Sequence, residues 1–362
     1  MSGPTDSDYA LKAEKVPAID APVLNYLPPR SRFYAPGIAV VGAGGISSAH
    51  LHAYRDAGYD VRIICNRTLV KAEDRRNEFF PDAEVTSDFD AVLRREDIEI
   101  VDITTHPEAR YGMIERALQS GKHVLSQKPF VLDVDSELRL VDLAEKRNLK
   151  LAVNQNGRWA PHLSYMREAV KSGVIGEIVS CHVSIHWNHG WIKGTAFESN
   201  LDLVFQDFAI HWFDFLVSLI GGRAASVVAT NARSCNQDVA PPLLAQALVQ
   251  FEGGQASFVF NGATKHGPLD CTYICGTKGS LASTGPNLGT QSVEVWTERG
   301  VARPQLSGTW FNDGFRGAMG ELMCAIEDDR PPLHNARDNL ASIALTSAAV
   351  RSAVEGGIVQ PI

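Results

Sequence analysis

Residues 37–46 read Gly37-Ile38-Ala39-Val40-Val41-Gly42-Ala43-Gly44-Gly45-Ile46, and Ser47-Ser48-Ala49-His50-Leu51-His52-Ala53-Tyr54 follow with helical character. An apolar strand that runs into a glycine turn and then a helix presents backbone N–H groups and a helix N-terminus to phosphate. Gly42, Gly44, Gly45 and Ile46 are therefore expected to cradle a dinucleotide pyrophosphate. Ser47 stands where the Gly-x-Gly-x-x-Gly spacing has its third glycine, which asks for slightly looser helix–strand packing. A second strand over residues 60–65 ends at Asn66 and Arg67, where such folds meet the adenosine ribose. A missing carboxylate at 66 followed by a guanidinium tolerates or favours a 2′-phosphate, so the expected cofactor is NAD or NADP.

Outward from this motif, strands and helices alternate as far as residue 155. Helices are expected at 69–80, 88–95, 111–120 and 135–147, and strands at 98–103, 123–126 and 150–153. Alternation at this spacing predicts parallel βαβ units and a doubly wound sheet. Thr104, Thr105 and His106 close one strand at its carboxyl end and are expected to line the nicotinamide side of the crevice. Past residue 156 the period changes to two, over 178–187, 224–230, 245–251, 256–261, 271–275 and 291–296. The expected fold class is α/β, with an N-terminal Rossmann sheet and a C-terminal α+β domain built on a large, mostly antiparallel open sheet. Helices at 164–171, 314–327 and 336–355 complete it. The expected division is an arm at 1–36, a dinucleotide-binding domain at 37–155, and a substrate-binding and oligomerisation domain at 156–362. The arm is proline-rich, yet Val23, Leu24, Tyr26 and Leu27 want burial; it reads as a loose tail or as an arm around a neighbouring subunit.

The chain has 362 residues, a net charge of −8, 44% hydrophobic and 21% charged residues, which suits a soluble globular protein of two domains. The acidic balance argues against nucleic-acid or anionic-membrane partners. Residues 1–8 lack the basic and apolar regions of a signal peptide, and no apolar stretch is read as a membrane span. The 6 cysteines are scattered without a Cys-x-x-Cys pair. A cytoplasmic location is expected.

Two segments carry chemistry. Ser126-Gln127-Lys128-Pro129 ends a strand at the ligand-binding edge, and a lysine on a proline-fixed turn is a positioned ammonium. In residues 206–216, Asp207, His211 and Asp214 recur at i, i+4 and i+7 on a helix of aromatics and aliphatics. Charged groups on such a surface are paired or functional, and Asp207 is expected to orient His211 as a general base. Between the two lies His182-Val183-Ser184-Ile185-His186-Trp187-Asn188-His189-Gly190-Trp191. Trp187 and Trp191 offer apolar faces for a sugar ring, with His189 beside them. Arg158 and His162 are also candidates for the cleft. His182, His186 and His189 lack an acidic or cysteine partner at ligand spacing, so no metal is expected.

Taken together these segments resemble the glucose–fructose oxidoreductase / inositol dehydrogenase / rhizopine-catabolism (MocA-like) family. Gly42-Ala43-Gly44-Gly45-Ile46 with His50 is similar to its fingerprint, Gln127-Lys128-Pro129 to its Glu-Lys-Pro, and Asp207, His211 and Asp214 to its Asp-x-x-x-His-x-x-Asp. Residues 156–161, 173–178 and 276–281 also match, so the resemblance runs from about residue 37 onward. It implies NAD(P)-dependent oxidoreduction of a sugar, cyclitol or related polyol in a homodimer or homotetramer. Lys128 would bind the reacting hydroxyl, His211 accept its proton and Asp207 act as partner, with Gln127 removing the carboxylate that usually precedes the lysine. Two alternatives stay open at this point. One is a redox-assisted glycoside hydrolase that keeps its NAD; the other is a non-catalytic nucleotide- or ligand-sensing module.

Overall fold

The computed structural model describes residues 16–131 and 134–362; residues 1–15 of the expected arm lie outside that range. The first half alternates as β1 (Ile38–Val41), α1 (Ser47–Ala57), β2 (Val61–Cys65), α2 (Leu69–Phe79), β3 (Glu84–Thr86), α3 (Phe89–Leu93), β4 (Ile100–Ile103), α4 (Pro107–Gln119), β5 (His123–Gln127), α5 (Val134–Lys146) and β6 (Leu151–Asn154). The strands form one sheet in the order β3-β2-β1-β4-β5-β6, with every pair parallel. Strand order reverses between β1 and β4, so the crevice outside their carboxyl ends is the natural ligand site. β1, β4 and β6 are buried along their whole length, as strands covered on both faces must be.

The second half comprises α6 (Pro161–Lys171), β7 (Ile178–His186), α7 (Ile210–Ile220), β8 (Ala224–Ala232), β9 (Leu244–Phe251), β10 (Gly254–Asn261), β11 (Leu269–Gly276), β12 (Gly279–Asn287), β13 (Thr290–Thr297), β14 (Gly300–Ala302), α8 (Trp310–Glu327), α9 (Ala336–Val354) and β15 (Gln360–Pro361). Its strands make a nine-stranded sheet, β14-β13-β12-β11-β7-β10-β9-β8-β15. Only the central β7–β10 pair is parallel; the rest are antiparallel, as the two-residue period implied. Along β9 buried and exposed residues alternate, with Ala245, Ala247, Val249 and Phe251 on the inner face. That face packs on α6, α7 and α9 in the largest apolar cluster of the chain.

The two halves are not separate in space. Phe315, Ala318, Met319 and Leu322 of α8 pack with Ile38, Val40, Leu51 and Tyr54, so a C-terminal helix helps cover the first sheet. Gly317 allows that approach, since a Cβ there would lie 2.3 Å from Trp159 Cγ. α9 bridges both halves through a buried polar line. Gln155 Nε2 donates to Asn339 Oδ1 (2.8 Å) and Asn339 Nδ2 donates to Glu137 Oε1 (2.9 Å).

Residues 204–223 are long and apolar enough to cross a membrane by length and composition, contrary to the expectation that no stretch is. Here they are mostly buried in the core beneath the second sheet. Residues 16–36 run along their own chain, with Leu24 and Tyr26 packed against it while Val23 and Leu27 stay exposed. Ala18 pairs with Val301 beside the sheet edge, and Tyr165 donates its hydroxyl to Pro22 O (2.9 Å). The Glu327 carboxylate accepts from the N–H groups of Arg32, Phe33 and Tyr34.

Candidate active site

The glycine turn is shaped from behind and open in front. Gly42 has φ +111°, and a Cβ there would lie 2.7 Å from Thr104 Oγ1, which itself donates to Gly42 O (2.9 Å). Thr104 is thus a buried brace under the turn rather than part of the lining. Gly44 and Gly45 are the reverse: both are exposed, and nothing lies within 4 Å of a Cβ built on either. Ser47 fills the third-glycine position by donating its hydroxyl to Gly44 O (2.7 Å) while fully buried. α1 begins without a side-chain cap or an acidic residue in its first turn. Gly42 and Ala43 donate to Cys65 O and Asn66 Oδ1, whereas no acceptor among the described residues meets the N–H groups of Gly44, Gly45 and Ile46. An uncapped helix start, unpartnered N–H groups and open space above two glycines fit a dinucleotide pyrophosphate.

At the adenosine end, Asn66 is committed within the chain. Its Oδ1 accepts from Ala43 N (3.0 Å) and its Nδ2 donates to Thr68 O (2.8 Å). Arg67 is exposed and forms no ion pair among the described residues. Thr105 is half-buried, and His106 is exposed at the start of α4, its ring 6.4 Å from Phe197.

Lys128 follows β5 on a cis Lys128–Pro129 peptide. A residue the sequence did not flag holds that turn: buried Arg110 donates to Thr105 O (2.7 Å) and Gln127 O (2.7 Å), and also to Pro129 O. It ties the ends of β4 and β5 together. Burial pulls its guanidinium down to about 9, with Asp207, Glu108 and Asp102 opposing. A single arginine on an ordinary amphipathic helix gave no sequence signal for this. Gln127 is also buried, and its Oε1 accepts from Lys128 N and from Asn154 Nδ2 (both 2.9 Å).

Lys128 Nζ reaches across the crevice and donates to Asp207 Oδ1 (2.8 Å) and Asp207 O (2.7 Å). Asp207 lies on Val204–Ala209, a π-helical stretch leading into α7. Such wide turns interrupt helices at functional sites, and this one sits where the sequence predicted a regular helix face. Burial pushes the Asp207 carboxyl up, but the attraction and hydrogen bond of Lys128, with His211 and His189 beside it, prevail and hold it below the usual range. The carboxylate therefore pairs with Lys128, not with His211 as expected. His211 remains within electrostatic reach of both; burial and the Lys128 charge push its imidazole down to about 3, against the pull of Asp207. Its Nδ1 has no partner, and its ring meets Trp310 edge-on at 5.5 Å. A cation, a carboxylate and a neutral imidazole thus converge at one point on the ligand-binding edge.

Asp214 and Arg158 are placed elsewhere. Arg158 Nε and Nη2 grip the Asp214 carboxylate at 2.7 Å each, Ser342 Oγ adds a bond at 3.0 Å, and Arg158 Nη1 meets Leu333 O. Both residues are buried, and each of the three guanidinium nitrogens of Arg158 is engaged by this cluster. His162 is buried as well, and burial drives its imidazole down to about 3. The aromatic wall is formed by Trp187, His189 and Phe208: His189 lies 6.2 Å from Trp187 in a stacked arrangement and 4.3 Å from Phe208. Burial lowers His189 to about 4, with Asp207 opposing and Lys128 assisting. Trp191 is exposed and meets Phe197 edge-on at 5.6 Å. His182 bonds Ser257 and Ser180, and His186 bonds Ser184, so these histidines serve the sheet.

Comparison with known proteins places both halves of the chain in one family. Residues 37–155 match the oxidoreductase family with an NAD-binding Rossmann fold, and residues 163–282 match the GFO/IDH/MocA C-terminal domain. An inositol 2-dehydrogenase of Rhizobium meliloti (strain 1021) is 27% identical over 87% of this chain and 96% of its own length. A D-apiose dehydrogenase of Paraburkholderia graminis is 25% identical over 89% of this chain and 88% of its own. The fold is shared with the scyllo-inositol dehydrogenase of Lactobacillus casei, solved with NAD(H) and scyllo-inositol, at a TM-score of 0.77 and 23% identity over 90% of this chain and 99% of that one. With both family models covering the parallel sheet and most of the second one, this chain belongs to the GFO/IDH/MocA family of NAD-binding oxidoreductases.

Proposed function

We propose that the protein interconverts a secondary alcohol and its ketone on a sugar, cyclitol or related polyol, using NAD or NADP. The observation that carries this reading is the meeting of Lys128, Asp207 and His211 beside an open pyrophosphate cradle. A bound nicotinamide would take or return the hydride. Lys128 Nζ would hold the reacting oxygen and stabilise charge as it develops there. His211 is neutral near pH 7 and so can take the hydroxyl proton. Asp207 keeps Lys128 in position and offsets the charge that protonated His211 would carry. Trp187, His189 and Phe208 supply an apolar wall for the ring of the substrate. The test is stoichiometric reduction of free NAD(P)+ by a panel of polyols, with Lys128→Met and His211→Asn as controls. Loss of about 10²–10⁴-fold in kcat is expected for either; full activity in both would overturn the reading, and glycoside cleavage without net reduction would replace it.

The adenosine end supports NADP at least as well as NAD, because Asn66 is occupied within the chain while Arg67 is free and exposed. Asn66→Asp should then shift the kcat/KM ratio toward NAD, and an unchanged ratio would refute this. The outer face of the second sheet exposes Val179, Leu248, Leu269 and Tyr273, which supports self-association into a dimer or tetramer through that face. All six cysteines are unpaired, in keeping with a reducing, cytoplasmic setting.

A further inference from the structure

The apolar inner face of the second sheet is interrupted at β11. Its inward residues are Asp270, Thr272 and Ile274, and their partners on β12 are Gly285, Ser283 and Leu281. On one side β7 sets Ile185 beside Asp270 and Val183 beside Thr272; on the other β13 sets Val293 beside Ser283. A carboxylate and two hydroxyls thus stand together where the two-residue period calls for aliphatic side chains. Directly opposed side chains on one sheet face lie about 5 Å apart at Cβ and diagonal ones about 7–8 Å, so the three groups can reach a common space.

Asp270, Thr272 and Ser283 are all 0% exposed. Neither carboxylate oxygen of Asp270, nor Thr272 Oγ1, nor Ser283 Oγ has a hydrogen-bond partner among the described residues. Gln291 adjoins them. A Cβ on Gly285 would lie 2.9 Å from Gln291 Nε2, so this amide lies over the glycine that faces Asp270. Its Nε2 donates to Asn287 O (2.9 Å), which leaves the buried and unpartnered Oε1 as its free end. No basic side chain answers the carboxylate: burial acts on it alone and lifts it to about 7. Five oxygens without a partner, one pair of them able to carry a charge, are costly in an apolar layer unless something completes them.

We propose that these oxygens form a binding site for one dehydrated monovalent cation, sodium or potassium. Asp270 supplies the negative charge, and Thr272, Ser283 and Gln291 supply neutral oxygens. Carboxylate, hydroxyl and amide oxygens are hard ligands, which suit alkali and alkaline-earth ions rather than zinc or copper. A single carboxylate balances a single positive charge, whereas calcium loops draw on several. One ion would give the buried charge its counter-charge and the neutral oxygens a shared partner. It would tie β11 to β12 and β13 at the end of the sheet where β7 runs into Trp187. The site stands apart from the nicotinamide-dependent reading above and does not rest on it.

Thermal unfolding of the whole cofactor-free chain in sodium, potassium, calcium and choline chloride at equal ionic strength tests the site. A saturable rise in Tm of about 2–4 °C in sodium or potassium over choline is expected. Asp270→Asn keeps the shape and removes the charge, so it should abolish that rise while melting no lower than wild type in choline. Should it not fold, the double variant Thr272→Val with Ser283→Ala should raise the half-saturating cation concentration by about 10-fold. Wild-type crystals grown with rubidium should show anomalous density among these oxygens. A wild-type Tm that does not distinguish the salts would overturn the site and mean that Asp270 is held as the neutral acid. An equal rise in wild type and variant, a rise with calcium alone, or no rubidium at this place would overturn it as well.

Discussion

Replacing Glu137 by glutamine should make the protein more stable, and by an amount that grows with pH. Glu137 is fully buried between α5 and α9, with Asn339 bonded to Oε1 and nothing bonded to Oε2. Burial raises its carboxyl from the ordinary 4.5 to about 8, the Asn339 bond opposing only in part. A folded-state pKa above the unfolded one means that the native chain binds the extra proton between those values. The associated stability is whole below about pH 4.5 and is lost as pH rises toward 8. At about 1.36 kcal/mol per pH unit, the loss reaches about 3 kcal/mol at pH 7 and about 4 kcal/mol at pH 8. Glutamine keeps the acceptor for Asn339 and mimics the neutral acid, so Glu137→Gln should match wild type at pH 5 and exceed it by those amounts at pH 7 and 8. Denaturant unfolding at the three pH values measures the difference directly. A wild-type-to-variant gap independent of pH would refute the reasoning, because it would mean that Glu137 is ionised in the folded protein.

Arg158→Leu leaves the Asp214 carboxylate buried with Ser342 alone, and should cost about 3–5 kcal/mol in denaturant unfolding while NAD(P)+ affinity, measured on the folded fraction, stays the same. Gly42→Ala forces a side chain into a positive-φ site 2.7 Å from Thr104 Oγ1, and should lower Tm by several degrees and weaken pyrophosphate binding, read by calorimetry with ADP-ribose. Burial holds His162 near 3, so protons favour the unfolded chain and stability falls as pH drops below about 6.5. His162→Leu should gain about 2 kcal/mol relative to wild type between pH 7 and pH 5, and equal acid sensitivity in both proteins would contradict this.

The doubly wound half was legible because each of its elements announces itself over a few residues: an apolar run, a glycine or proline stop, a helix period. Lys128, Asp207 and His211 could be singled out because charged groups stand out in apolar or proline-fixed surroundings. Their pairing could not. Whether Asp207 turns to His211 or to Lys128 depends on a π-helical turn and on a lysine 79 positions away in sequence. Nothing near Arg158 in sequence announces its ion pair, because its partner Asp214 lies 56 residues further on. β12 gives no sequence signal, since Gly279-Ser280-Leu281-Ala282-Ser283-Thr284-Gly285-Pro286-Asn287 has little strand propensity. Two flanking strands with matching registers make it a strand regardless. Arg110 acts on backbone carbonyls, and Asn154 on the Gln127 amide and the His50 ring, all brought close by the finished sheet, and no local pattern reports such neighbours.

The strap formed by residues 16–36 has a consequence for how the chain is made. It leaves the ribosome long before several of its docking partners, since Val301, Ser307 and Glu327 lie more than 280 residues downstream of the positions they contact. Until those residues emerge the segment can reach only earlier partners such as Tyr165, while the edge beside β14 stays uncovered until translation is nearly over. Full docking of this segment is therefore among the later events of biogenesis, and a nascent chain arrested before residue 300 would present it only partly tied to chaperones.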